Sequence, residues 1–156
     1  MEYISNIDEI KQHQMMFKMP VKNQNLKFIY YYKLLYSDIN VHLKYLLFQI
    51  NFNPSSYNKD PYTRVKIDKQ DPIFEKIRKL EIRLLSCMNQ HVSKKMKCSL
   101  YEEFIQKDMS YVSTNHPNYQ PLYLKISGIW EDHTHIGIVY KLYYAMSTVK
   151  FSNIIC

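Results

Sequence analysis

Residues 26–36, LKFIYYYKLLY, alternate between two sets of side chains. Leu26, Phe28, Tyr30, Tyr32, Leu34 and Tyr36 fall on one parity, and Lys27, Ile29, Tyr31, Lys33 and Leu35 on the other. A period of two over this length predicts a strand with an apolar core face and a basic, aromatic outer face. Ser37, Asp38, Ile39 and Asn40 then supply turn chemistry. In residues 41–52, Val41, Leu43, Tyr45 and Leu47 alternate with His42 and Lys44, and then the parity flips, so that Phe48, Ile50 and Phe52 are apolar. A strand that exchanges faces midway predicts a bulge or sharp bend near residues 45–47. Residues 53–61 read as a loop. Residues 62–68 read as a short strand, with Thr63, Val65 and Ile67 inward and Tyr62, Arg64 and Lys66 outward.

The period then changes. Ile73, Phe74, Ile77, Leu80, Leu84, Leu85 and Met88 recur at helical spacing, with Asp71 as N-cap and Pro72 in the first turn. This predicts an amphipathic helix over residues 71–90. Ser99 followed three residues later by Glu102 reads as a capping box opening a shorter helix over residues 100–109. After a polar loop at 113–121, Leu122, Leu124, Ile126 and Trp130 share one parity of a strand. Ile136, Ile138, Tyr140 and Leu142 share one parity of its hairpin partner. The order strand, strand, strand, helix, strand, strand is that of an OB-like five-stranded Greek-key barrel. The expected fold is therefore mainly β, with one long helix between strands 3 and 4 and a short extra helix. The mid-strand parity flip favours this barrel over an α+β sandwich. Residues 1–25 read as an N-terminal arm with one turn of helix near 7–13, residues 26–144 as the barrel, and 145–156 as a C-terminal tail.

Composition narrows the function. The chain has 156 residues and a formal net charge of +7, which points to polyanionic partners. Lys outnumbers Arg 18 to 3, Tyr reaches 15, and Ala145 is the sole alanine. This bias matches AT-rich codons, so part of the Lys and Tyr enrichment reflects base composition. No apolar run is long enough to span a membrane, and the first residues carry no apolar signal segment. A compartment inside a cell, cytoplasm or nucleus, is therefore expected, with no membrane partner. Cys87, Cys98 and Cys156 are odd in number and read as free thiols.

Catalytic motifs are lacking. Only Gly128 and Gly137 exist, so there is no Gly-rich phosphate loop, and HExxH, GxSxG and CxxC are all missing. We therefore expect no enzyme and no cofactor. His133 and His135 in the insert EDHTH lack a third metal ligand at a natural spacing, as do Cys87, His91 and Cys98. No metal is expected, and EDHTH is expected to be a mobile hairpin loop.

The outward parities carry the functional signal. They collect Lys27, Tyr31, Lys33, His42, Lys44, Tyr62, Arg64, Lys66, Tyr123, Lys125, Lys141 and Tyr143. Cations that track phosphates and rings that stack on bases are what single-stranded nucleic acid requires. The bland reading of the same residues is an ordinary solvated strand face. Trp130 lies on the core parity but next to a candidate binding loop, so it fits either a core or an interface role.

Residues 124–142, LKISGIWEDHTHIGIVYKL, resemble the terminal hairpin of OB-fold single-stranded-DNA-binding proteins of large DNA viruses, whose pattern is near K-I-S-G-I-W-E, a variable turn, then G-I-x-Y-K. The matching residues are Lys125, Ile126, Ser127, Gly128, Ile129, Trp130, Glu131, Gly137, Ile138, Tyr140 and Lys141. The resemblance implies a non-sequence-specific binder of single-stranded DNA acting in viral replication or recombination, within a host cytoplasm or nucleus. The expected interface comprises Tyr31, Lys33, His42, Lys44, Tyr62, Arg64, Lys66, Lys125, Trp130 and Lys141. DNA is favoured over RNA, and homo-oligomerisation stays open. The alternatives are a viral protein-interaction barrel and, resting only on Asp132 to His135, a metal-dependent nuclease.

Overall fold

The computed structural model describes residues 6–22, 29–39, 41–50, 70–106 and 122–144. In chain order the strands are β1 (Met15–Phe17), β2 (Val21–Lys22), β3 (Tyr30–Asp38), β4 (Val41–Leu43), β5 (Leu46–Ile50), β6 (Lys95–Lys97), β7 (Leu122–Glu131) and β8 (His135–Tyr144). Two helices, α1 (Pro72–Val92) and α2 (Ser99–Gln106), flank β6. The protein is mainly β, as the alternation predicts.

β7 organises the sheet. β8 pairs with it along one whole edge. The other edge is shared: residues 30–33 of β3 lie antiparallel to residues 128–131, and β5 lies antiparallel to residues 122–126. Between these two stretches the chain leaves β7. The second half of β3 pairs with β4 as a hairpin and with β1 on its other side. The chain then turns at Lys44 and Tyr45 and returns to β7 as β5. The parity flip in residues 41–52 thus marks a change of neighbour, with strands on either side of a break, and not a bulge within one strand.

This pairing departs from the expected barrel. Among the described residues the strand path runs β1-β3-β7-β8-β6 and does not close. The reason is that β5 takes up the β7 edge next to β3, and β8 accepts β6 as a parallel neighbour. The predicted strand 62–68, the loops 53–61 and 113–121, and the tail 145–156 lie outside the described residues. The segment read as an arm is built into the fold. Ile7, Ile10 and Met15 are buried, and β1 and β2 both pair with β3. Strands of three and two residues are too short to show a period.

β3 buries the parity that alternation assigns to the core: Tyr32, Leu34 and Tyr36 are inside. α1 starts as predicted, with Asp71 Oδ1 accepting from Ile73 N at 2.9 Å and Pro72 in the first turn. Its buried stripe holds all seven predicted residues and also Glu81. It ends where Ser93 adopts the left-handed conformation, φ 47°. α2 packs beside it, Phe74 and Phe104 meeting edge to face at 6.2 Å.

The capping box at Ser99 is replaced by a contact from α1. The fully buried Glu81 carboxylate accepts from Leu100 N and Tyr101 N, both at 3.0 Å. Those are amides of the first turn of α2, which have no partner within that helix. Burial pushes the Glu81 carboxyl up to about 7, against the two amide bonds that pull it down. A second buried carboxylate, Glu131, accepts from the Tyr32 hydroxyl and pairs with Lys94 Nζ at 2.5 Å.

Candidate nucleic-acid interface

Strand register decides which side chains share the sheet face opposite the helices, because directly paired residues point the same way. One row across the sheet is Val21, Tyr31, Trp130, Gly137 and Lys97. The next contains Lys33, Gly128 and Val139. A further row contains Leu47, Lys125 and Lys141. Toward the β7–β8 turn, His135 pairs with Lys95. The core residues Ile129 and Ile138, Ile126 and Tyr140, and Leu124 and Leu142 occupy the opposite face.

A bulge sets this arrangement. The β7–β8 register shifts between Ile126 and Gly128, leaving Ser127 as the extra residue. Parity therefore reverses within β7. Before the bulge even-numbered residues face the core; after it Ile129 and Glu131 do. Trp130 is consequently moved to the outer face, against the parity that simple alternation gives it.

The two glycines make room there for aromatic rings. A Cβ at Gly137 would stand 2.4 Å from the Trp130 ring, and one at Gly128 would stand 2.6 Å from the Tyr31 ring and 2.3 Å from the Tyr32 carbonyl oxygen. Each ring thus lies against backbone that only glycine leaves uncovered. The Tyr31 hydroxyl donates to the Ser127 carbonyl at 2.9 Å, which fixes the ring over the bulge.

Of the ten expected interface residues, the structure brings Tyr31, Lys33, Lys125, Lys141 and Trp130 together on this face. Trp130 is only 7% exposed, so its ring offers no stacking surface and its role is to cover Gly137. His42 stands on the hairpin, opposite Ser37 and with its Nδ1 2.8 Å from Ser37 Oγ, on the part of β3 that has left β7. Lys44 is exposed in the bend between β4 and β5. Tyr62, Arg64 and Lys66 lie outside the described residues.

Three participants escape the sequence reading. Lys95 and Lys97 are exposed on β6, a strand whose only local signal is the triplet KMK. Its strand state comes from elsewhere: β8 pairs with it, Lys95 N donates to Thr134 O at 3.1 Å, and the preceding Lys94 is held by Glu131 and by the Asp132 carbonyl. The third is Tyr45, whose ring lies under Lys125 Nζ at 3.8 Å.

The face therefore presents Lys33, Lys95, Lys97, Lys125 and Lys141. Among the described residues none of these five enters an ion pair, and no carboxylate shares their rows. The arrangement can hold an extended polyanion, with tyrosine rings between the cations.

The turn after β7 is a knitted structure. Asp132 Oδ1 accepts from Thr134 N and His135 N, both at 2.7 Å, and Asp132 N donates to His135 O at 3.0 Å. These bonds, led by that from Thr134, hold the Asp132 carboxyl below its usual range. That contrasts with the mobile loop expected from its polar composition. Among the described residues no three His, Cys, Asp or Glu side chains are grouped to hold a metal. Cys87 and Cys98 are free and partly buried, and burial raises both thiols.

No helix among the described residues is long and apolar enough to cross a membrane. Comparison of the chain with protein-family models, with curated proteins and with solved structures finds no match in any of the three.

Proposed function

We propose that this protein is a non-enzymatic binder of single-stranded nucleic acid, DNA in preference to RNA, without sequence specificity. The observation that carries the reading is the sheet face with five lysines, none ion-paired among the described residues, interleaved with Tyr31 and Tyr45. Such a face meets a phosphate backbone through its cations and unpaired bases through its rings. The hairpin resemblance and the AT-rich codon bias connect the activity to the replication or recombination of a viral genome.

The test is fluorescence polarisation with labelled oligo-dT, oligo-U and duplex DNA at two salt concentrations. Oligo-dT should bind most tightly. The slope of log K against log salt should approach about −3.5 if all five lysines meet phosphates, at about 0.7 per contact. Duplex bound as tightly as single strand would show that charge alone acts and that the tyrosines stack on nothing.

A further inference from the structure

Lys125 and Lys141 are directly opposite each other across the β7–β8 pair. Side chains in that relation start about 5 Å apart at Cβ, and like charges so placed destabilise a sheet. Nothing on the described part of the face neutralises them. On the β5 side of the same row stands Leu47, only 1% exposed, so the pair has an apolar flank. Lys125 leans toward the β5 edge of β7, on the side away from Lys141. Its ammonium is held over the Tyr45 ring at 3.8 Å. Tyr45 can reach it because the chain breaks at residues 44–45 on its way from β3 to the β7 edge. The fold thus fixes one of two cross-strand cations that have no counter-charge among the described residues, and an anion bound between them would lower what repulsion remains.

We propose that Lys125 and Lys141, with Tyr45 positioning the first, form a phosphate anchor that holds one phosphodiester of a single strand between their ammonium groups. The nature of the ligand rests on the function proposed above; the pairing itself rests on strand register. A phosphodiester suits the pair because its two non-bridging oxygens offer one acceptor to each ammonium, and its single negative charge lowers the repulsion between them. Tyr45 is a positioning residue: its ring fixes the Lys125 ammonium without needing to touch the strand.

An anchor of this kind trades stability of the free protein for affinity. Neutralising one lysine should therefore strengthen the fold while weakening binding, which a purely structural lysine would not do. The experiment compares wild type with Lys141→Gln, Lys141→Arg and Tyr45→Leu. Each is melted alone and titrated with oligo-dT, tripolyphosphate and vesicles containing phosphatidylserine. In low salt, Lys141→Gln should melt about 1–3 °C above wild type, with the gap closing in high salt. Its affinity for oligo-dT should fall about fivefold at 0.1 M salt, and Lys141→Arg should restore it. Tyr45→Leu should also weaken oligo-dT binding and, by releasing the Lys125 ammonium from the phosphate, flatten the salt slope by up to about 0.7; an unchanged slope would mean that the ring stacks on a base and positions nothing.

If wild type binds oligo-dT and Lys141→Gln binds it equally well, the anchor is wrong and the wider interface stands. If wild type ignores oligo-dT but is stabilised by tripolyphosphate or captured by the vesicles, the nucleic-acid reading and the assigned ligand fail together.

Discussion

The outer face of α1 and the outer face of the sheet both carry cations, but in different company. On the helix side, Lys76 reaches Asp8 at 2.5 Å, and Arg78 and Lys79 flank Glu75 at 3.8 and 3.9 Å. Arg83 donates to the Ile10 carbonyl at 3.0 Å, and Arg78 also lies over the Tyr101 ring. On the sheet side, the five lysines have no acid within reach among the described residues. A net charge of +7 fixes only the sign of the excess. Strand register decides where part of it collects. The helix side resembles an ordinary solvated surface, whereas the sheet side carries a field that lacks a counterpart within the described protein.

The sharpest way to break the sheet side is through its glycines. A Cβ at Gly128 would stand 2.3 Å from the Tyr32 carbonyl oxygen, which is backbone and cannot rotate aside. Gly128→Ala should therefore push β3 from β7 at the bulge and cost about 3 kcal/mol or more. Lys79→Ala, on the exposed helix side, should cost less than about 0.5 kcal/mol. Urea unfolding of the two variants checks the contrast. A Gly128→Ala protein as stable as wild type would mean that Tyr31 and the bulge are not locked as described.

The helix side also matches an acid to donors in its interior, and this gives it a pH dependence of its own. Glu81 titrates near 7 in the folded protein, against an ordinary value of 4.5. Between those values the folded state binds more protons than the unfolded state, so stability falls as pH rises through the window. The contribution is full below about 4.5 and gone above about 7, and it should be on the order of 3 kcal/mol. Melting wild type and Glu81→Gln from pH 4.5 to 7.5 isolates it. Wild type should lose stability relative to the variant as pH rises. The opposite trend would mean that the Leu100 and Tyr101 amides hold the carboxylate charged despite burial.

The two sides were not equally legible in the sequence. α1 could be read almost completely, because its cap, its proline and its 3.6-residue stripe are local signals. The β3 core parity was legible for the same reason. Pairing is not local, and there the reading failed. The parity flip after Tyr45 was visible, but only the fold shows that the chain is moving from β3 to β7. The order of elements suggested a closed barrel, yet order does not determine which edge β5 takes. One extra residue, Ser127, moved Trp130 to the other face, and nothing in KISGIWE distinguishes that bulge from regular alternation. Lys95 and Lys97 were hidden because a three-residue strand has no period; β8 and the Lys94–Glu131 pair create it. Glu81 sits within an apolar helical stripe, where sequence alone gives no hint of the α2 amides it serves.

The smallest expected effect on stability is also the cleanest separation of the two regions. Lys95→Ala with Lys97→Ala removes two positive charges from the sheet side. Lys76→Ala with Lys79→Ala removes the same number from the helix side, so the two proteins have equal net charge. The helix variant gives up exposed ion pairs to Asp8 and Glu75, which should cost a few tenths of a kcal/mol each. The sheet variant loses no ion pair among the described residues and should melt within about 1 °C of wild type. Binding should sort them the other way. If β6 borders the phosphate path, the sheet variant should flatten the slope of log K against log salt for oligo-dT by about 1.4, at 0.7 per contact. The helix variant should keep the wild-type slope. Equal flattening in both would mean that binding responds to total charge, and that the segregation of paired and unpaired cations has no bearing on where the strand lies.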